Sequence, residues 1–129
     1  MTWTLTQLQE LVSKHDDLAV THEDGTLIIT NEDGIEAYMT VSGEQILVET
    51  LLFPADQVKD ISNLNADLLR THMVFPLTSA GITTISGEDY YTAFGALSAQ
   101  SKEESIFIEI DTLFQNVSDM LDAYASHLH

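Results

Sequence analysis

The last thirty residues of the chain limit its possible folds more than any other stretch. Ile106, Ile110, Leu113, Val117, Leu121, Tyr124 and Leu128 recur at intervals of three and four, the spacing that lines side chains along one face of an α-helix. Phe107, Phe114 and Met120 widen the stripe. Ser101 is followed three residues later by Glu104, the pattern of a capping box in which each side chain satisfies a free backbone N–H at the helix start. The predicted helix, Gln100 to His129, would run about 45 Å at 1.5 Å per residue. A face of that length has to lie on a sheet or on other helices, and the remaining segments say which.

Thr4 and Gln7 form a second capping box ahead of Leu5, Leu8, Leu11 and Val12, so a first helix is predicted over 4–14. Four strands follow: Leu18 to His22, Thr26 to Thr30, Ile35 to Val41 and Gln45 to Phe53. They are separated by Asp24-Gly25, Asp33-Gly34 and Ser42-Gly43. Asp-Gly between β-formers favours two-residue hairpins, because both central residues need φ > 0. Pro54 to Thr71 carries Val58, Ile61, Leu64, Leu68 and Leu69 at helical spacing. Pro54 suits a helix start, and Asn63 and Asn65 suit caps, so one helix or two are both open. Phe75-Pro76-Leu77 is expected in a loop or edge strand. Ile82 to Ser86 and Tyr90 to Leu97 then make a hairpin around Gly87-Glu88-Asp89. Gly95 marks a bulge or a close backbone approach, and Tyr90 and Tyr91 should point to opposite faces. The order α-β-β-β-β-α-β-β-α is that of an α+β fold, an antiparallel sheet with helices on one face.

At 129 residues the chain, 1–129, is expected to form a single domain. Its charge is lopsided: 21 Asp and Glu against four Lys and Arg, a net of −17. Phosphate backbones are held by basic side chains, so nucleic acid is not an expected partner. An anionic membrane surface would repel the chain, and no apolar run is long enough to insert. The start, MTWTLTQLQE, lacks the basic and apolar regions of a signal peptide, and the expected location is the cytoplasm.

Recognisable chemistry is missing. Glu23-Asp24-Gly25 and Glu32-Asp33-Gly34 are hairpin turns rather than a calcium loop, which needs alternating oxygen ligands and a closing Glu within twelve residues. His15, His22, His72, His127 and His129 show no zinc-ligand spacing. There is no Cys, no nucleophile elbow and no glycine-rich phosphate loop. The sequence assigns no catalytic, cofactor-binding or metal-binding residue and implies no cofactor. The chain is not expected to be an enzyme.

Trp3-Thr4-Leu5, the run from Phe75 to Ile82, and Tyr90-Tyr91-Thr92-Ala93-Phe94-Gly95-Ala96-Leu97-Ser98 resemble the bacterial YjfI-like family, a domain of unknown function, across nearly the whole chain. That resemblance implies a partner similar to phage shock protein A. The element order is also similar to that of type III secretion chaperones, with one strand more. This likeness implies a homodimer that binds an extended client segment.

The expected function is a non-catalytic protein-binding module, chaperone-like or regulatory. An edge strand would accept a client by β-augmentation, and an acidic rim would select basic clients. The alternative is a self-contained structural homodimer or a small-ligand-binding protein. A homodimer is expected because three amphipathic helices compete for one sheet face.

Overall fold

The structure is a computed structural model and describes residues 2–129. Six strands form one antiparallel sheet: β1 (Ala19–Glu23), β2 (Thr26–Thr30), β3 (Glu36–Ser42), β4 (Gln45–Pro54), β5 (Ser79–Ile85) and β6 (Glu88–Ser98). Their order across the sheet is β1-β2-β3-β4-β6-β5. Three helices, α1 (Leu5–Ser13), α2 (Ile61–Thr71) and α3 (Glu103–Tyr124), complete the α-β-β-β-β-α-β-β-α order predicted from the sequence.

Alternation assigns the two faces. Leu27, Ile29, Ala37, Met39, Ile46, Val48, Tyr91 and Ala93 are buried on one of them, in a core shared with Leu8 of α1, Leu64 and Leu68 of α2, and Ile106, Ile110, Leu113 and Val117 of α3. All three helices bury side chains in that core, and among the described residues no helix covers the opposite sheet face. Tyr91 is in the core with its hydroxyl on Asn65 Oδ1 at 2.6 Å, whereas Tyr90 lies on the opposite face beside Glu88.

The capping box of α1 forms as read: Thr4 Oγ1 accepts from the Gln7 amide, and Gln7 Oε1 accepts from the Thr4 amide. The Ser101–Glu104 box does not. The helix starts one residue later, at Glu103, with Lys102 as its N-cap and no side-chain cap bond. Ser101 serves elsewhere: its amide bonds the Ser98 carbonyl, and its own carbonyl accepts the Trp3 indole N–H at 2.7 Å. Glu103 and Glu104 still sit in the first turn of α3, where negative charge suits the helix dipole. At 22 residues the helix is shorter than the predicted thirty. Its C-terminal continuation becomes a 3-10 turn, then a one-residue bridge from Leu128 to Val58.

Asp24-Gly25 makes the two-residue turn expected, with φ of 47° and 77°. Asp33-Gly34 does not. Asn31 Oδ1 collects the amides of Asp33 and Ile35 and spreads the connection over 31–35. Pro54 ends β4 opposite Tyr90 instead of opening a helix, and a 3-10 turn at Ala55–Gln57 precedes α2. Asp60, not Asn63 or Asn65, caps α2, accepting from the Asn63 amide. Of the two readings of Gly95, a bulge or a close approach, the bulge is absent there, and the register shift lies in β4, between Leu51 and Phe53. Gly95 is instead a close approach: a Cβ there would stand 2.8 Å from Glu109 Oε2.

The end of α3 holds α2 in place. Tyr124 OH and Thr71 Oγ1 are 2.6 Å apart, His127 Nε2 is 2.9 Å from Asp67 Oδ2, and the Lys59 amide donates to the His127 carbonyl.

Candidate protein-binding surface

Residues 61–87 contain only two charged side chains, Asp67 and Arg70, so this stretch is neutral while the other 20 acids and three bases lie outside it. Seven of the nine large hydrophobic side chains that stand exposed among the described residues belong to the same stretch: Ile61, Leu69, Met73, Val74, Leu77, Ile82 and Ile85. Adjacent residues of α2 divide sharply, Leu68 at 8% exposure and Leu69 at 81%. Between α2 and β5 a groove of about 330 Å³ is lined by Leu68, Leu69, Ala80, Ile82 and Tyr91.

Leu77 has φ of 69°, in the left-handed region that bulky residues avoid. Buried Asn116 of α3 holds the loop around it, donating from Nδ2 to the Pro76 carbonyl at 2.9 Å and to Thr78 Oγ1 at 2.8 Å. The loop is thereby fixed with Leu77 pushed out. Strain kept at an exposed apolar position is a feature of binding surfaces.

Beside this patch runs the sheet edge. The outward amide of Ala80 donates to His72 Nε2, which places Ala80, Ile82 and Thr84 in the positions whose backbone groups face away from β6. Among the described residues no hydrogen bond reaches the amides of Ile82 or Thr84. β5 carries no charge and no proline, the two devices that blunt edge strands. The other edge, β1, is short and ends at Glu23-Asp24.

The helix-free sheet face is of a different character. Cross-strand register puts Glu49 of β4 directly opposite Tyr38 of β3 and Phe94 of β6. Thr26, Tyr38, Thr40, Leu47, Glu49 and Phe94 line a shallow groove of about 430 Å³. Glu23, Glu36, Glu49 and Glu88 share this face by alternation, and none of the four Lys and Arg lies on a strand. Burial first, then the carboxylates of Glu36 and Glu23, push the Tyr38 phenol above its ordinary range.

Among the described residues no three of His, Asp and Glu gather as a metal site. Asp17 and Glu32 come together at a loop cluster, where the hydrogen bond to Asp17 and then its charge raise the Glu32 pKa. His127 is engaged with Asp67. Among the described residues no helix is long and apolar enough to cross a membrane.

A sequence model of the family described as "Uncharacterized protein conserved in bacteria (DUF2170)" matches residues 2–128. The chain belongs to that family. A relative, YjfI of Escherichia coli K12, is 32% identical over 135 aligned residues that cover the whole of both chains. The family expected from the sequence is therefore the right one. Among solved structures, the DUF2170 chain is similar to YbjN of E. coli, described as a candidate transcription regulator (TM-score 0.78, 16% identity, 99% of this chain and 96% of that one). It is also similar to a chain of the HopA1–SchA chaperone–effector complex (TM-score 0.66, 19% identity, 91% of each). A chain of the ExsC–ExsE complex matches as well (TM-score 0.65, 14% identity, 93% and 96%). The chaperone-like fold anticipated from the element order is thus present.

The surface at α2 and β5 was not foreseen as a unit. Its signal was the charge gap over 61–87, visible in the sequence but read there only as helix, loop and strand.

Proposed function

We propose that this chain is a non-catalytic protein-binding module, chaperone-like or regulatory, that works in the cytoplasm as a homodimer joined along α2 and β5. One observation carries the reading: most of the exposed large hydrophobics gather on one neutral stretch beside an uncharged, unpaired strand edge. Exposed apolar patches on this scale mark sites of protein contact. A second copy suits this edge better than a basic client does, because two chains of −17 repel each other everywhere except where neither carries net charge. About a two-fold axis, β5 pairs with its own copy and the exposed side chains of α2 pack across the seam. Similarity to a chaperone–effector complex supports protein partners, and a protein similar to phage shock protein A is a candidate client.

Met73 is 94% exposed, so Met73→Glu leaves the core intact and places like charges across the seam. Light scattering should give a dimer mass for the parent chain and a monomer mass for Met73→Glu, with unchanged circular dichroism. A parent chain that is monomeric at high concentration rejects the dimer. A self-contained structural homodimer is the second reading, favoured by the same patch. It predicts no client in a pull-down washed at low salt.

A further inference from the structure

The helix-free face of the sheet has a feature that dimerisation at the α2–β5 edge leaves unused. Glu49 lies near the middle of that face, half-buried, with Tyr38 and Phe94 directly opposite it on the flanking strands. Directly opposed residues of an antiparallel sheet have Cβ atoms about 5 Å apart. The Glu49 side chain therefore stands between those of Tyr38 and Phe94, and its Oε2 accepts a hydrogen bond of 3.4 Å from Thr83 Oγ1 of β5. Leu47 and Thr40 complete the groove floor, and Phe94 is 38% exposed, so the groove is open to a partner. Glu36 and Glu23 lie near Tyr38 on the same face, Glu88 lies further along β6, and none of the Lys and Arg is on a strand.

We infer that this face binds a partner segment bearing arginine or lysine among apolar side chains, with the cationic head seated on Glu49 between Tyr38 and Phe94. The chemistry selects such an occupant on three grounds. A carboxylate among aromatics that has a neutral hydroxyl beside it and no Lys or Arg on any strand is complemented by a cation, which gains from both the charge and the ring faces. Arginine suits the place best, since its planar guanidinium stacks on a ring while donating two parallel bonds to a carboxylate. Apolar neighbours of the arginine would cover Leu47 and Phe94, and an acidic segment would be repelled by Glu23, Glu36 and Glu49. The second copy of this chain is a poor occupant because of its own net charge. This inference rests on the protein-binding role proposed above and names where and what it binds.

The test uses the full chain and three fluorescein-labelled octapeptides: alternating Arg and Leu, alternating Glu and Leu, and alternating Arg and Ser. Fluorescence anisotropy is read at about 50 and about 500 mM salt, across which exposed charge pairs become screened. The Arg–Leu peptide should bind best and lose about tenfold in affinity at the higher salt. Glu49→Gln, which preserves size, should weaken it about tenfold, and Phe94→Ser by a similar factor. Glu10→Gln removes the same charge from an exposed position on α1 and should change little.

Equal weakening by Glu10→Gln and Glu49→Gln would reduce the effect to net charge and overturn the inference. Failure of the Arg–Leu peptide to bind, or equal binding of the Glu–Leu peptide, would overturn it too. Arg–Leu binding lost in a Leu69→Ser, Met73→Ser variant but kept in Glu49→Gln would move the site to the α2–β5 edge. That result sinks this inference and leaves the protein-binding role standing. A dimer that binds none of the peptides sinks the inference but not the dimer.

Discussion

Glu109 is the least expected residue of the core. It is 6% exposed on the sheet side of α3, and among the described residues its Oε2 has no hydrogen-bond partner. Burial alone raises its pKa above the ordinary 4.5; no neighbouring charge contributes. An acid whose pKa is higher in the folded state binds more protons folded than unfolded, so folding is most favourable below the unfolded pKa. That advantage is lost as pH rises from 4.5 through the folded value, and above it the cost of the buried charge is constant. Glu109→Gln should therefore raise stability at pH 7 by about 1 kcal/mol and give little at pH 4. Urea midpoints at the two values check this, and a gain independent of pH would contradict it. Gly95 is the counterpart. Gly95→Ala puts a methyl 2.8 Å from the same carboxylate and should cost about 1–3 kcal/mol, less in a Glu109→Ala background. The sequence marked Gly95 as a bulge or a close approach. It gave no hint of which group approached, because a Glu among apolar helix residues reads as solvent-facing until the partner surface is known.

At the level of elements, local chemistry was legible wherever its partners are local. Thr4–Gln7 caps α1 as read, so Thr4→Ala should lower stability by about 1 kcal/mol. Ser101→Ala should be close to neutral, since the Ser101 side chain caps nothing and its backbone makes the contacts. A measured loss at Ser101 equal to that at Thr4 would restore the rejected box. Pro54 and Asp33-Gly34 were misread for one reason. A strand that takes in a proline as its last residue, and a loop recruited by Asn31, depend on neighbours that local propensity does not contain. The stripe on α3 held: Leu113 is fully buried and Val117 nearly so. Leu113→Asp should unfold the protein, because an unpaired buried carboxylate costs several kcal/mol. Loss of the cooperative thermal transition would show it. The five apolar positions marked at helical spacing over 54–71 split instead, with Val58, Leu64 and Leu68 inside and Ile61 and Leu69 outside. Helical period alone cannot tell a core stripe from a docking stripe when both occur in one segment.

On the scale of the whole molecule, charge is partitioned rather than spread. The neutral patch at α2 and β5 and the acidic open face respond to ionic strength in opposite senses. Screening weakens repulsion between two copies of −17 and so should tighten the dimer, while it loosens any basic partner on the open face. Sedimentation and peptide binding measured over one salt series should show the two trends crossing. Parallel trends would mean that one surface does both jobs.

Strand order also dictates how the chain is assembled. β5 is synthesised before β6, yet β6 lies between β5 and β4, pairing Gln45 with Ser98 more than fifty residues away. On a ribosome the N-terminal meander can form early, but its last strand waits with one side open until residue 98 has emerged. β5 and β6 then dock together as a finished hairpin, which makes closure of that seam the slow, long-loop step of folding. In the proposed dimer the edge offered to a second copy comes into being only at that moment, so association would follow the docking of that hairpin.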